Sequence, residues 1–296
     1  MSAGQNAGRG PIRLPEPIVG KIEAAAVLDL PGKLVGKAVR GALAPGAVKD
    51  ALSGTWLGHA VHPLLTDVVI GSFTSASLLD LIGGRRSRHA SERLIVVGII
   101  AYAPTALTGF SDWADSEAVD ASVRRAGLVH AISNSLALTL YSASLAARRR
   151  GARGRGVLLG GVGASVLMGA AYLGGHLLLV KGVGADQTAF DPGPEDWSAA
   201  VDAGQLAQGA PARVVVNDTP VLVLRDGARL FAIHDRCSHR GCSLSDGELE
   251  GEEIVCACHG SRFDLNDGSV RAGPATVPQP AFEARERGGR IEIRRR

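Results

Sequence analysis

The sequence predicts a two-part chain: an all-α four-helix transmembrane bundle followed by an all-β domain of small antiparallel sheets. Three observations carry this. Long apolar stretches without formal charge fill the middle of the chain. Short apolar runs punctuated by turn dipeptides fill the last third, and all four cysteines fall between Cys237 and Cys258. With 296 residues, 46% of them hydrophobic and 21% charged, the chain is too apolar for an ordinary soluble protein and too charged for a purely membrane one. The formal charge is only +3 and the arginines sit in short runs rather than one stripe, so no nucleic-acid partner is expected.

Residues 1–50 are rich in Gly, Pro and Ala and are expected to be a flexible start followed by one weak helix. No basic segment leads into an apolar core and a small-residue cleavage site, so no cleavable signal peptide is expected. The membrane bundle is expected over 51–181. Its clearest spans are Leu94 to Ser111, Ala126 to Ala147 and Gly156 to Val180, all free of formal charge and close to the roughly 20 residues that cross a bilayer. A fourth span, about Gly58 to Gly83, contains Asp67 and runs up to Asp80, which makes it the weakest. The alternative is a soluble bundle, but soluble helices carry a polar face that Gly156 to Val180 lacks. Gly160, Gly161, Gly163, Ala164, Gly169, Ala170 and Ala171 would let lipid-embedded helices approach closely.

Charge sets the expected orientation. Arg85, Arg86, Arg88 and Arg93 fall in one loop and Arg148, Arg149, Arg150, Arg153 and Arg155 in the next but one. The loop between carries Asp112, Asp115, Glu117 and Asp120. Cytoplasmic loops collect Lys and Arg, so both termini are expected on the outer face of a multi-pass cytoplasmic membrane protein. Lys21, Lys33, Lys37, Arg40 and Lys49 argue mildly the other way. Residues 182–211 read as a linker. Residues 212–296 read as the β domain, with strands at 213–216, 220–224, 230–234, 282–285 and 291–293 between Asn217-Asp218, Asp226-Gly227 and Gly288-Gly289 turns.

Two loops carry the chemistry, Cys237-Ser238-His239-Arg240-Gly241-Cys242 and Cys256-Ala257-Cys258-His259-Gly260-Ser261-Arg262-Phe263. Zinc also takes paired Cys and His. Against it stand the C-x-H and C-x-x-H spacing, where zinc knuckles use C-x-x-C, and a surplus cysteine in each loop. From about residue 212 the chain resembles the Rieske iron-sulfur family. That resemblance implies a [2Fe-2S] cluster held by Cys237, His239, Cys256 and His259, and a disulfide between Cys242 and Cys258 as in members from cytochrome bc-type complexes. Imidazole ligation on one iron raises the potential above that of an all-thiolate centre. Gly241 and Gly260 let the backbone turn so that amides can point at the sulfurs. The resemblance also marks Ser261 as a donor to the cluster, Phe263 where a tyrosine is expected, and Pro274 as part of a covering segment. Arg240 stands where quinol-oxidising members have leucine, a departure toward the ferredoxin type.

Ionisable residues inside a membrane domain are functional candidates. His62, His130 and His176, joined by His59, are expected at the outer end of the bundle, with Asp67 placed to orient one of them. Three readings are open for them: a haem b held by two imidazoles, a quinone pocket, or polar groups at helix ends in the headgroup region. The bundle itself resembles a poorly characterised family of four-helix membrane domains, some of which precede a Rieske domain. Arg148-Arg149-Arg150 loosely resembles an internal twin-arginine export signal, although ordinary positive-inside anchoring is the favoured account of it. The function these features imply is one-electron transfer at the outer face of a bacterial membrane. Alternatives are a ferredoxin-like donor to a membrane oxygenase or a redox sensor. No two-His, one-carboxylate iron triad follows, so an electron-transfer protein is expected rather than a stand-alone enzyme. The sequence names no redox donor, acceptor or oligomeric state.

Overall fold

The computed structural model describes residues 16–296; the expected flexible start lies partly outside them. Where one weak helix was expected, three follow Glu16: α1 (Glu16–Ala24), α2 (Asp29–Ala42) and α3 (Ala47–Ser53). They are ordered by packing rather than propensity. A Cβ on Gly32 would lie 2.7 Å from the Arg124 side chain, and one on Gly36 would strike Glu117, so the two glycines bring α2 close to the bundle. Asp29 then pairs with Arg124 at 2.9 Å and Arg125 at 2.6 Å.

The bundle comprises α4 (Val61–Ile82), α5 (Arg88–Glu117), α6 (Ala121–Arg149) and α7 (Arg153–Leu179). Pro63 sits in the first turn of α4, where a missing N–H costs nothing, and Gly84, at φ +60°, ends the following turn. The Asp120 carboxylate caps α6, accepting from the Ser122 amide at 2.7 Å and the Val123 amide at 3.2 Å. Phe73 of α4 stacks on Tyr141 of α6 with ring centroids 4.0 Å apart, and Gly98 and Gly163 lie against the two rings.

Three helical segments, Val61–Ile82, Arg85–Glu117 and Arg153–Leu179, are long and apolar enough to cross a membrane. This corrects the expected ranking of spans. The segment expected to be weakest, in α4, qualifies, whereas α6 does not. Ser133, Asn134, Ser135, Thr139, Ser142 and Ser144 dilute its apolar character. At the arginine-rich end, Arg148 is buried and bonded to Asp80, Ser91 and Ser144, so it is part of the helix packing.

The β domain holds three antiparallel sheets. β1 (Ser198–Asp202), β10 (Arg290–Arg295) and β9 (Phe282–Arg287) form the first, in that order. β2 (Ala212–Val216), β3 (Thr219–Asp226) and β4 (Arg229–His234) form the second. β5 (Glu248–Glu250), β6 (Glu253–Val255), β7 (Arg262–Asp264) and β8 (Val270–Ala272) form the third. β1 lies in the stretch expected to be linker, held there by pairing with β10 at the far end of the sequence. Asn217 and Asp218 both take positive φ, +49° and +69°, the conformation that turns a two-residue hairpin between β2 and β3. Leu222, Leu224, Phe231, Ile233, Leu244, Ile254, Phe263 and Leu265 form one core, which also buries Cys237 and Cys256.

Candidate metal centre

The two cysteine-histidine loops leave β4 and β6 and share one backbone design. In the first, the Gly241 amide donates to the Cys237 carbonyl at 2.8 Å, and the Cys237 amide donates to the Cys242 carbonyl at 2.8 Å. In the second, Gly260 donates to Cys256 at 2.9 Å and Cys256 to the Ser261 carbonyl at 2.8 Å. Gly241 and Gly260 take φ of +77° and +76°, which an L side chain would strain. The amides of His239 and Arg240 face the Cys237 sulfur, and those of Cys258 and His259 face the Cys256 sulfur. Each loop is thus a small cradle of N–H groups around a buried sulfur.

Cys237 and Cys256 are free, buried and hydrogen-bonded to one another. That bond first, and then the Cys258 and His259 amides, pull the Cys256 thiol below its ordinary value against its burial. The same bond, burial and the charge on Cys256 push the Cys237 thiol up. The rings of His239 and His259 lie 5.1 Å apart and nearly perpendicular, at 89°. Burial pushes both imidazoles toward the neutral form, the form that ligates metal. Nδ1 of His239 is buried without a hydrogen-bond partner, while its Nε2 lies 3.5 Å from the Asp115 carboxylate. Two buried free thiols, two imidazoles pushed toward the neutral form with rings 5.1 Å apart and an unpartnered Nδ1 on His239 fit a [2Fe-2S] cluster with thiolates on one iron and imidazoles on the other.

Cys242 and Cys258 form a disulfide that ties the loops together. Their sulfurs lie within 4.8 Å of the Cys256 sulfur, but as a disulfide they offer no free thiolate. Ser261 is fully buried, and its hydroxyl oxygen accepts from the Ala275 amide at 3.0 Å, which leaves its proton free to donate elsewhere. Phe263 is fully buried in the core beneath the loops and offers no donor. Pro274 lines a narrow crevice with Ser238, His239 and Arg240.

The loop tips face the helical domain. Lys49 of α3, itself buried, bonds Asp115 of α5 at 2.7 Å and Ser111 at 2.9 Å. The Thr55 hydroxyl donates to the Ala275 carbonyl at 3.1 Å, and Arg240 donates to the Gly182 carbonyl at 2.8 Å. A Cβ on Gly260 would sit 3.6 Å from Pro45. The side chain of His239 is only 13% exposed as a result. Sequence reasoning missed Lys49, Thr55 and Asp115. Lys49 and Arg40 counted as basic residues against the orientation, yet they neutralise Asp115 and Glu117 at the end of α5. An acidic run directly after an apolar span, with basic residues in a preceding helix, was the available signal.

The membrane-domain histidines separate into two groups. His62, His130 and Asp67 line one cavity of about 270 Å3 between the four long helices. His176 instead bonds Glu23 at 2.9 Å, beside Lys181, and His59 bonds the carbonyl of Ala60. The histidine rings in the cavity are oriented by backbone carbonyls, where Asp67 was expected to act.

The Rieske [2Fe-2S] domain pattern matches residues 196–283, and that of a family described as predicted membrane protein (DUF2231) matches residues 58–187. The chain is 31% identical over 98 residues to the anthranilate 1,2-dioxygenase ferredoxin subunit of Burkholderia cepacia, covering 33% of this chain and 91% of that one. It is 36% identical over 90 residues to the biphenyl 2,3-dioxygenase ferredoxin component of Rhodococcus jostii, 30% of this chain and 84% of that one. Among solved structures, the ferredoxin of carbazole 1,9a-dioxygenase from Nocardioides aromaticivorans is similar at 31% identity, covering 34% of this chain and 100% of that one with a TM-score of 0.33. With its paired cysteine-histidine loops and their disulfide, the chain belongs to the Rieske [2Fe-2S] family and joins that domain to a DUF2231 membrane domain.

Proposed function

We propose that the chain is a membrane-anchored one-electron carrier, with its cluster held by Cys237, His239, Cys256 and His259 and its Rieske domain on the outer face of a bacterial cytoplasmic membrane. When bound, the cluster supplies a one-electron store whose potential the imidazole ligands raise. The chain's own residues do the rest: the loop amides stabilise the sulfurs, the disulfide holds the loops in register, and Ser261 has a proton to offer. A Cys242–Cys258 disulfide persists in an oxidising compartment, and the arginine clusters lie at the opposite end of the bundle. Both support the outer location.

The observation that carries this reading is that the His239 edge faces Asp115 of the membrane domain, where a soluble partner would otherwise dock. Electrons are therefore exchanged with a group in or at the bundle. A membrane quinol analogue should reduce the cluster in the purified full chain, followed by electron paramagnetic resonance. Reduction by a soluble ferredoxin reductase alone would favour the second reading, a ferredoxin-like donor to an oxygenase. The similarity to dioxygenase ferredoxin components, 31% and 36% identical, favours that reading.

The Lys49–Asp115 pair gives a further expected result. Adding an electron to the cluster is opposed by a nearby negative charge and helped by a positive one. Asp115→Asn should raise the reduction potential and Lys49→Met should lower it, each by on the order of tens of millivolts at an effective dielectric near 20. A redox titration that moves both in the same direction would remove this electrostatic role.

A further inference from the structure

The cavity between the long helices has an internal symmetry that the cluster does not use. In the hairpin α4–α5, Nδ1 of His62 bonds the Thr105 carbonyl at 2.9 Å, and a Cβ on Gly109 would lie 2.6 Å from the His62 ring. In the hairpin α6–α7, Nδ1 of His130 bonds the Ala170 carbonyl at 2.8 Å, and a Cβ on Gly174 would lie 2.9 Å from the His130 ring. In each hairpin a histidine on the first helix meets a carbonyl and, four residues on, a glycine on the second, which lie on one helix face. The glycine admits the ring and the carbonyl fixes it.

A carbonyl acceptor at Nδ1 holds the proton there. Nε2 is then left with a lone pair on the cavity. The Thr108 hydroxyl oxygen, 3.3 Å from Nδ1 of His62, gives its own proton to backbone carbonyls and so supports the same tautomer. Nδ2 of Asn134 donates to the His130 carbonyl at 2.9 Å and lies 3.2 and 3.4 Å from the two ring nitrogens. The shorter of the two contacts is to Nε2, so a ligand at His130 takes the place of the Asn134 amide. An imidazole whose Nδ1–H is bonded to a backbone carbonyl and whose Nε2 is free is the usual form of a metal-ligating histidine.

Two lone pairs narrow the class of ligand. An oxidised quinone needs donors, which the two Nε2 atoms do not supply. The hydroxyls of a reduced quinol also suit two lone pairs, so solvent extraction belongs in the test. The carbonyl–glycine seat repeated in both hairpins makes the two imidazoles an equivalent pair, which favours a metal. A bare cation needs more ligands, and among the described residues no group of three His, Cys, Asp or Glu ligand atoms includes this pair within 4.8 Å of one another. A metal already chelated in a flat macrocycle needs only two axial ligands. The cavity is largely apolar, lies within a helical bundle and is partly open, so a ring larger than the enclosed 270 Å3 can extend beyond it.

We propose that His62 and His130 are the axial ligands of a haem. Ala60, Asp112 and Gly184 line both this cavity and the crevice beside His239, so the haem site shares a wall with the cluster edge. Haem iron and cluster each exchange one electron, and loss of one by ferrous haem matches gain of one by the oxidised cluster. The site stands independently of the cluster assignment, and the two have separate spectra.

The test is the full chain purified from membranes in mild detergent. Its reduced-minus-oxidised optical spectrum and pyridine haemochrome should show stoichiometric, low-spin haem. His62→Ala and His130→Ala should each lower bound haem by about tenfold or more. His176→Ala should retain it, and His130→Met, which keeps an axial ligand, should retain it with a shifted band. The cluster signal reports whether each variant is folded. If both alanine variants also lose the cluster, the wild-type haem resonance decides, because bis-imidazole ligation has its own low-spin signature. Wild-type chain with a full cluster and no haem would overturn the proposal. So would haem retained in both alanine variants, a wild-type resonance without bis-imidazole character, or solvent extraction that yields a quinone in place of haem.

Discussion

Cys256→Ser should give a chain that reaches the membrane but carries no [2Fe-2S] absorption and essentially no iron. Cys256 is buried at the base of its loop, with its sulfur in a cradle of the Cys258 and His259 amides. Those same amides favour the thiolate that iron requires. A serine hydroxyl ionises far less readily than a thiol and is a poor replacement for a soft sulfur ligand. Loss of a group that merely orients a ligand reduces metal affinity about 10–100-fold, and loss of the ligand itself removes more. The polypeptide should persist, because the Cys242–Cys258 disulfide and the core around Phe263 and Ile254 do not depend on that sulfur. Iron and acid-labile sulfide analysis, alongside protease resistance, separates loss of the cluster from loss of the fold.

Breaking the Asp80–Arg148 pair should have the largest effect on the membrane domain. The Arg148 side chain is fully buried and the Asp80 side chain 4% exposed, and the two are paired directly. Arg148 also bonds Ser91 at 3.2 Å and Ser144 at 3.1 Å, so it links α6 to α4 and α5 at one point. Arg148→Met leaves the Asp80 carboxylate buried, with the Ser91 hydroxyl at 3.0 Å and the partly exposed Arg153 at 3.2 Å as its remaining partners. Removing one partner of such a pair costs about 3–5 kcal/mol, which for a domain of this size lowers the melting temperature by on the order of 10 °C. Replacing both, Asp80→Leu with Arg148→Met, should recover much of the loss, because no charge is left stranded. Thermal unfolding in detergent measures both variants. A double variant no better than the single would mean that shape, not charge, dominates the site.

The two cysteine-histidine loops were legible in the sequence because their candidate ligands are local. Each loop must place a sulfur, an imidazole and a positive-φ glycine within a few residues, and Cys237 to Cys242 and Cys256 to Ser261 do so in order. The spans were legible only in part: Leu94 to Ser111 and Gly156 to Val180 fall in helices long and apolar enough to cross a membrane, whereas α6 does not qualify and the weakest candidate, in α4, does. What the sequence hid depends on distant partners. β1 has little strand character of its own and is fixed by β10, about ninety residues later. α2 is docked by two glycines against Arg124 and Glu117, and nothing near Gly32 or Gly36 announces those partners. The histidines show the limit most clearly. All four lie toward the same end of the bundle, but only the fold separates His62 and His130, turned into one cavity, from His176, tied to Glu23.

The central claim is a Rieske centre whose two imidazoles face the membrane domain. Pulsed electron paramagnetic resonance of the reduced full chain tests it most directly, because magnetic couplings to nitrogen count the imidazoles on the iron. Couplings from two histidine nitrogens are expected, reduced to one by His259→Cys. A signal without nitrogen coupling, or zinc in place of iron in the purified protein, would contradict it.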